Sequence, residues 1–166
     1  MMLGDLTSEY QLELPYLPTP EEVAIEMLLL AGAYPGEKVV DLGAGTGEIL
    51  ITANKLFGCI AEGYEINKTL AKKAIENANK SAAKIRVYTK DLFEADISDA
   101  DIITIFARGK VLNLIKQFVF KNAKEGCRVI CHDYPLPGVD PIAIAKVNGT
   151  KYHKHIIYMY IVPKRA

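Results

Sequence analysis

Tryptophan is absent from the 166 residues, and cysteine occurs only three times, at Cys59, Cys127 and Cys131. An odd count leaves one thiol unpaired in any disulfide scheme, and no C-x-x-C pair is present, so a disulfide framework is excluded. Cys127 and Cys131 lie next to His132, but a closed zinc site wants four ligands and no second cluster accompanies them. The two cysteines are expected as small hydrophobes on one buried strand, and no metal site is expected. No apolar stretch approaches the roughly 18 residues of a membrane span. The first Lys or Arg is Lys38, so a charged leader or an Arg-rich transit peptide is not expected. The chain reads as a soluble, cytoplasmic protein.

An excess of either charge is also missing: 20 basic residues stand against 20 acidic ones. That balance excludes a disordered charged tail and disfavours nucleic acid as a partner, since non-specific nucleic-acid binding rests on a basic surface. Along the chain the balance breaks. Residues 1–37 hold seven acids (Asp5, Glu9, Glu13, Glu21, Glu22, Glu26, Glu37) and no base, whereas residues 141–166 hold five bases and no acid. An acidic rim attracts a cationic partner, although a solvated helix face accounts for most such runs.

What is present is a core. Half of the residues are hydrophobic, enough for one domain at this length. No repeat or long linker interrupts the chain, and strand and helix patterns alternate, as in an α/β domain with a largely parallel sheet. Leu14-Pro15-Tyr16-Leu17-Pro18 is too proline-rich for regular structure and reads as an extended lead-in. Residues 1–19 are expected to form that lead-in and residues 20–166 the single domain. Thr19-Pro20-Glu21-Glu22 reads as an N-cap, a first-turn proline and a capping-box Glu. Strands are expected at Lys38–Leu42, Gly58–Tyr64, Ile85–Tyr88, Asp101–Phe106, Cys127–His132, Ile142–Val147 and Ile156–Val162. Helices are expected from about Glu48 to Leu56, after Asn67 as cap, and over Val111–Val119. Asn148-Gly149 signals a terminal hairpin, which requires an antiparallel strand at the sheet edge.

The chemistry concentrates after the first strand, in Asp41-Leu-Gly43-Ala-Gly45-Thr-Gly47-Glu48. Glycines serve where the backbone turns sharply and a ligand approaches without a Cβ in the way, and ligands of open α/β sheets bind beyond the carboxyl ends of the strands. The phosphate-binding P-loop pattern fails, because no Gly-Lys-Ser/Thr follows. The dinucleotide fingerprint fails as well, since the third glycine comes one residue early and Glu48 puts a carboxylate at the helix N-terminus that a pyrophosphate needs. A phosphate-free ligand with a positive amino group fits better. Glu65, 18 residues after Gly47 at the end of strand two, suits the two hydroxyls of an adenosine ribose. Asp91 follows strand three beside Leu92 and Phe93, a pairing that suits an adenine amine against the acid with its ring on the hydrophobes.

Together, these acids, the Asp-x-Gly-x-Gly-x-Gly loop and the terminal hairpin resemble the seven-stranded class I methyltransferases that use S-adenosylmethionine. A narrower likeness lies in Leu14-Pro-Tyr16-Leu-Pro18-Thr19-Pro20, Glu65-Ile-Asn67, Phe93-Glu-Ala-Asp96-Ile-Ser98 and Gly126-Cys-Arg-Val-Ile-Cys-His132. These stretches look like the small archaeal protein-lysine methyltransferases and their mitochondrial relatives. The resemblance implies a Rossmann-like three-layer α/β sandwich with a seven-stranded, mostly parallel sheet and an antiparallel C-terminal hairpin strand. It implies S-adenosyl-L-methionine as cofactor, with Gly43, Gly45 and Gly47 under its methionine portion, Asp41 at its amino end, Glu65 on the ribose and Asp91 with Leu92 at the adenine. Thr19 and Phe106 complete that set. Tyr16 with Thr19 would close over the methionine end and line a lysine channel. After strand four the chain departs from these relatives, reading Ala107-Arg108-Gly109-Lys110-Val111-Leu112 in place of a Leu-Leu-Thr-x-x-Asn-like stretch.

The implied reaction is an in-line methyl transfer to exposed protein lysines, governed by positioning. Tyr16, Phe106 and Tyr134 would wall a channel that keeps the incoming amine neutral. His132 or Asp133 would accept a proton through water, while His153 and His155 read as surface residues. Two other readings stay open. The acceptor could be a small molecule or RNA on the same scaffold, or the chain could hold its nucleoside cofactor without chemistry.

Overall fold

The computed structural model describes residues 17–149 and 153–165. Its elements run in the order α1 (Glu21–Ala31), β1 (Lys38–Leu42), α2 (Glu48–Phe57), β2 (Ile60–Tyr64), α3 (Lys68–Lys80) and β3 (Ile85–Tyr88). A 3-10 turn (Leu92–Glu94), β4 (Ile102–Ile105), α4 (Gly109–Asn122), β5 (Arg128–His132), β6 (Ala143–Asn148) and β7 (Lys154–Ile161) follow. The strands form a seven-stranded sheet in the order β3-β2-β1-β4-β5-β7-β6. β1 to β5 pair in parallel, and β7 pairs antiparallel with both β5 and β6.

Two expectations are corrected here. The antiparallel strand is not at the edge: β7 takes hydrogen bonds on both sides, and β6 forms the outer strand. Between them β6 ends at Asn148 and β7 starts at Lys154, and Gly149 N–H donates to His153 O at 3.0 Å. At the other terminus the N-cap of α1 is Pro20, whose carbonyl accepts from Val23 and Ala24 at 3.0 Å, and no side chain caps the helix. Thr19 therefore precedes the cap. Glu21 and Glu22 still favour the first turn through the helix dipole.

The central strands are covered on both faces, as their apolar runs require. Val40, Leu42, Ile103, Ile105, Val129 and Cys131 pack with Val111, Leu112, Ile115 and Val119 of α4. On the opposite face Val39, Ile102, Ile130 and Ile157 pack with Val23, Met27 and Leu28 of α1 and with Ile49, Leu50 and Ala53 of α2. Cys59, Cys127 and Cys131 are free and buried, and burial pushes the Cys127 thiol up to about 12. Burial matches the expectation for Cys127 and Cys131, although β5 begins one residue after Cys127. Glu21, Glu22 and Glu26 are exposed along α1, so this part of the acidic run is a solvated helix face. Glu37 differs: it is buried and ion-paired with Arg128, which also donates to the α1 C-terminal carbonyl of Ala31 at 2.8 Å.

Gly63 sets how closely the first loop approaches the sheet. A Cβ there would lie 2.6 Å from Leu50 Cδ1 and 2.7 Å from Ala44 Cβ, and Ala44 belongs to the glycine loop itself. Gly63→Ala is expected to cost about 1–3 kcal/mol by overpacking, read from the urea unfolding midpoint with an unchanged m value. A variant as stable as the parent would show that the loop yields freely.

Candidate cofactor and acceptor site

β1 and β4 are neighbours although two strands separate them in sequence, so the chain reverses its winding between them. Such a reversal opens a crevice at the carboxyl ends of the strands, and the loops after β1, β2, β4 and β5 all end there. Gly43 and Ala44 donate to Tyr64 O at 2.9 Å each, which folds the loop after β1 across the end of β2. Gly43 and Gly45 have φ of 104° and 56°, and a Cβ on either would meet no atom within 4 Å. The space above them is an open cradle. Gly47 differs: it caps α2 in the left-handed region, and a Cβ there would lie 3.1 Å from Ala74 Cβ of α3. The third glycine thus serves helix packing, while the first two face open space. Asn77 of α3 holds the loop by donating to Thr46 O at 3.0 Å, and the Thr46 hydroxyl donates to the Glu48 carboxylate.

Asp41 and Glu65 border this cradle, and Asp91 follows β3. Asp41 is 4% exposed, and its register partner on β4 is Thr104, whose hydroxyl donates to Asp41 Oδ1 at 2.8 Å. Burial, reinforced by Glu48 and Glu65 and opposed by Thr104, pushes the Asp41 carboxyl up to about 8. Glu65 bridges two loops: Oε1 accepts from Gly45 N–H and Oε2 from Asn67 N–H, both at 2.9 Å. Asn67 in turn caps α3 by accepting from Thr69 and Leu70. Asp91 caps the 3-10 turn, accepting from Phe93 N–H at 3.0 Å, and the adjacent Leu92 is buried.

The other side of the crevice is aromatic. The Phe106 ring, just beyond β4, lies 4.4 Å from that of His132 and 6.1 Å from that of Tyr134, nearly parallel to the latter at 16°. His132 is 2% exposed; its Nε2 lies 2.8 Å from His155 Nδ1, and its Nδ1 has no partner among the described residues. Burial outweighs the Asp133 charge and pushes the His132 pKa down to about 4.

His155 is the residue the sequence reading misplaced. It is three-quarters covered or more and bonded to His132 rather than lying free on the surface, whereas His153 is 64% exposed as expected. The signal was the two-residue spacing of His155 and Ile157 near the start of β7, which puts both on one face of the strand; antiparallel pairing sets Ile157 opposite His132 on β5 and so brings His155 to it. Thr104 was also missed, although a lone polar residue in Ile102-Ile103-Thr104-Ile105 invited a partner. Thr19 is buried ahead of α1. Tyr16 lies outside the described residues, as do residues 1–16 of the expected lid.

A family model described as the ANTKMT methyltransferase domain matches residues 41–143. The chain is 35% identical to a protein-lysine N-methyltransferase of Saccharolobus islandicus (strain REY15A) over 156 residues, covering 92% of this chain and 96% of that one. It is 30% identical to the adenine nucleotide translocase lysine N-methyltransferase of Mus musculus over 136 residues, covering 81% of this chain but 59% of the mouse protein. Among solved structures, an RNA methyltransferase from Salinibacter ruber in complex with S-adenosyl-L-homocysteine superposes with a TM-score of 0.84 at 30% identity, over 90% of this chain and 96% of that one.

Proposed function

Because the chain belongs to the ANTKMT methyltransferase-domain family of class I methyltransferases, we propose that it methylates lysine side-chain amines of proteins. It is an S-adenosylmethionine-dependent enzyme. The cradle suits that cofactor: Gly43 and Gly45 leave open space, and acids rather than phosphate-binding groups border it. When bound, S-adenosylmethionine supplies a methyl group already activated by a positive sulfur.

The chain's own residues then have three tasks. Asp41 holds the cofactor's amino end, buried and braced by Thr104. Glu65 takes the ribose hydroxyls; each of its oxygens already accepts one backbone N–H, and a carboxylate has about four acceptor positions. Asp91 and Leu92 receive the adenine. Gly47 keeps α3 against the loop, and Thr19, buried ahead of α1, closes the methionine end. On the acceptor side Phe106, His132 and Tyr134 form an aromatic wall. A lysine ammonium entering it gains cation–π attraction, and desolvation beside a positive sulfur lowers its pKa toward the reactive neutral amine. His132 belongs to the wall: its Nε2 is engaged by His155 and burial keeps the ring neutral, so water carries the amine's proton away.

One observation carries this reading: the three acids and the open cradle occur in a chain 35% identical, over 92% of its length, to a protein-lysine N-methyltransferase. The likeness to a Salinibacter RNA methyltransferase favours RNA as the second reading, although a net charge of zero gives little phosphate attraction. Incubating the protein with methyl-labelled cofactor and a cell extract separates them. Label on lysine ε-nitrogens is expected; label in RNA or only in small molecules refutes the proposal. Three free, buried cysteines suit the reducing cytoplasm, and among the described residues no helix is long and apolar enough to cross a membrane.

A further inference from the structure

Beside the aromatic wall, the β6–β7 hairpin brings His153 and His155 to the end of β5, so that together with His132 three histidines meet one carboxylate oxygen. Asp133 Oδ2 lies 3.5 Å from His132 Nε2, 3.6 Å from His155 Nδ1 and 3.4 Å from His153 Nε2. These contacts are longer than the ordinary N–H···O range of about 2.7–3.2 Å. They are the spacing expected of ligands that share a cation: bond lengths near 2.0–2.2 Å put neighbouring ligand atoms of a tetrahedral site roughly 3.3–3.5 Å apart. Only the 2.8 Å approach of His132 Nε2 and His155 Nδ1 would have to open, by about half an ångström on that geometry.

The carboxylate is held in place. Asp133 Oδ1 accepts from Ile156 N–H at 3.1 Å, and the Asp133 backbone N–H donates to Ile156 O at 2.7 Å. That leaves Oδ2 as the oxygen turned toward the imidazoles, with a hydrogen-bonded outer partner of the kind that orients metal ligands. His132 is 2% exposed and His155 has a side chain 12% exposed, so two of the three nitrogens already sit out of water. His153, at 64% exposed, lies on the outer side with its ring edge-on to that of His155 at 4.5 Å. The elements involved, the end of β5 and the start of β7, are paired strands and give the ligands a rigid base.

We infer that His132, Asp133 and His155 form a binding site for a borderline divalent cation of the zinc class, with His153 or water as the fourth ligand. Two or three imidazoles with one carboxylate select such a cation over magnesium or calcium, which take oxygen ligands. The bound ion would clamp the β6–β7 hairpin to the end of β5. This inference does not depend on which acceptor is methylated.

The test uses metal alone. Full-length protein freed of metal by chelator is titrated with Zn2+ by calorimetry and with Co2+ by visible absorption. One equivalent per chain is expected, with micromolar or tighter affinity, the intense bands of four-coordinate Co2+, and a melting temperature raised by Zn2+. His155→Ala and Asp133→Asn, each checked for folding by circular dichroism, should each weaken Zn2+ binding by about 100-fold or more. Asn tolerates the left-handed backbone of Asp133, whose φ is 62°, so that variant is expected to fold. Absence of saturable binding overturns the assignment. So does binding that survives both substitutions, which would move the metal to other ligands such as the cysteines.

Discussion

Glu65→Ala is expected to weaken S-adenosylmethionine binding by roughly 100-fold or more, the effect of losing two hydrogen bonds to a charged acceptor at about 1.5–3 kcal/mol each. The loss has two sources. Direct contacts to the ribose go, and so does the bridge between Gly45 N–H and Asn67 N–H, which fixes the cradle relative to α3. Glu65→Gln separates them. Its amide offers one acceptor oxygen and one donor nitrogen, so it can keep only one of the two backbone bonds and suits neither the bridge nor the ribose fully. Calorimetric titration with cofactor should rank the affinities wild type, Gln, Ala. An alanine variant within threefold of wild type would remove Glu65 from the cofactor site.

Asp41→Asn should erase a pH dependence as well as weaken binding. Burial holds the Asp41 carboxyl protonated up to about pH 8 in the unliganded protein, but the cofactor's amino group favours the carboxylate. Binding therefore expels a proton below that pH, and affinity should rise with pH toward 8 by up to about tenfold per unit. Calorimetry at pH 7 in two buffers of different ionisation enthalpy should detect up to one proton released, and none from the Asn variant. Stability runs the other way. The folded pKa is raised above the unfolded value of 3.8, so the contribution of Asp41 is fully present below about pH 4 and is lost as pH rises through 8. Without cofactor, Asp41→Asn should therefore be more stable than wild type near pH 8, by on the order of a few kcal/mol. Equal stability of the two proteins at pH 5 and pH 8 would contradict a buried, proton-holding Asp41.

Much of this was legible because local signals were strong. Alternating apolar strands, the Asn67 cap and the glycine loop each depend on neighbours within a few residues, and all form where the pattern placed them. Strand ends differ by one or two residues, as at Gly58, where the expected second strand begins instead at Ile60. Gly58 instead ends α2 in the left-handed region, its N–H bonded to Asn54 O. The cap of α1 was misread for a comparable reason: Thr19 carries a capping hydroxyl and Pro20 suits the first helical position, but the backbone path enters the helix one residue later, with Pro20 at the cap.

By itself the sequence determined the alternation of elements, the glycine loop and which carboxylates follow strands one, two and three, because these rest on spacing and on backbone preferences of single residues. Tertiary structure decided what those residues meet. Asp41 finds Thr104 only because β4 pairs beside β1, and Glu65 finds Gly45 only because the first loop folds over β2. His155 finds His132 only because β7 slots between β5 and β6. Partners separated by 20 residues or more are chosen by sheet order, and sheet order follows from packing both faces of the whole sheet at once.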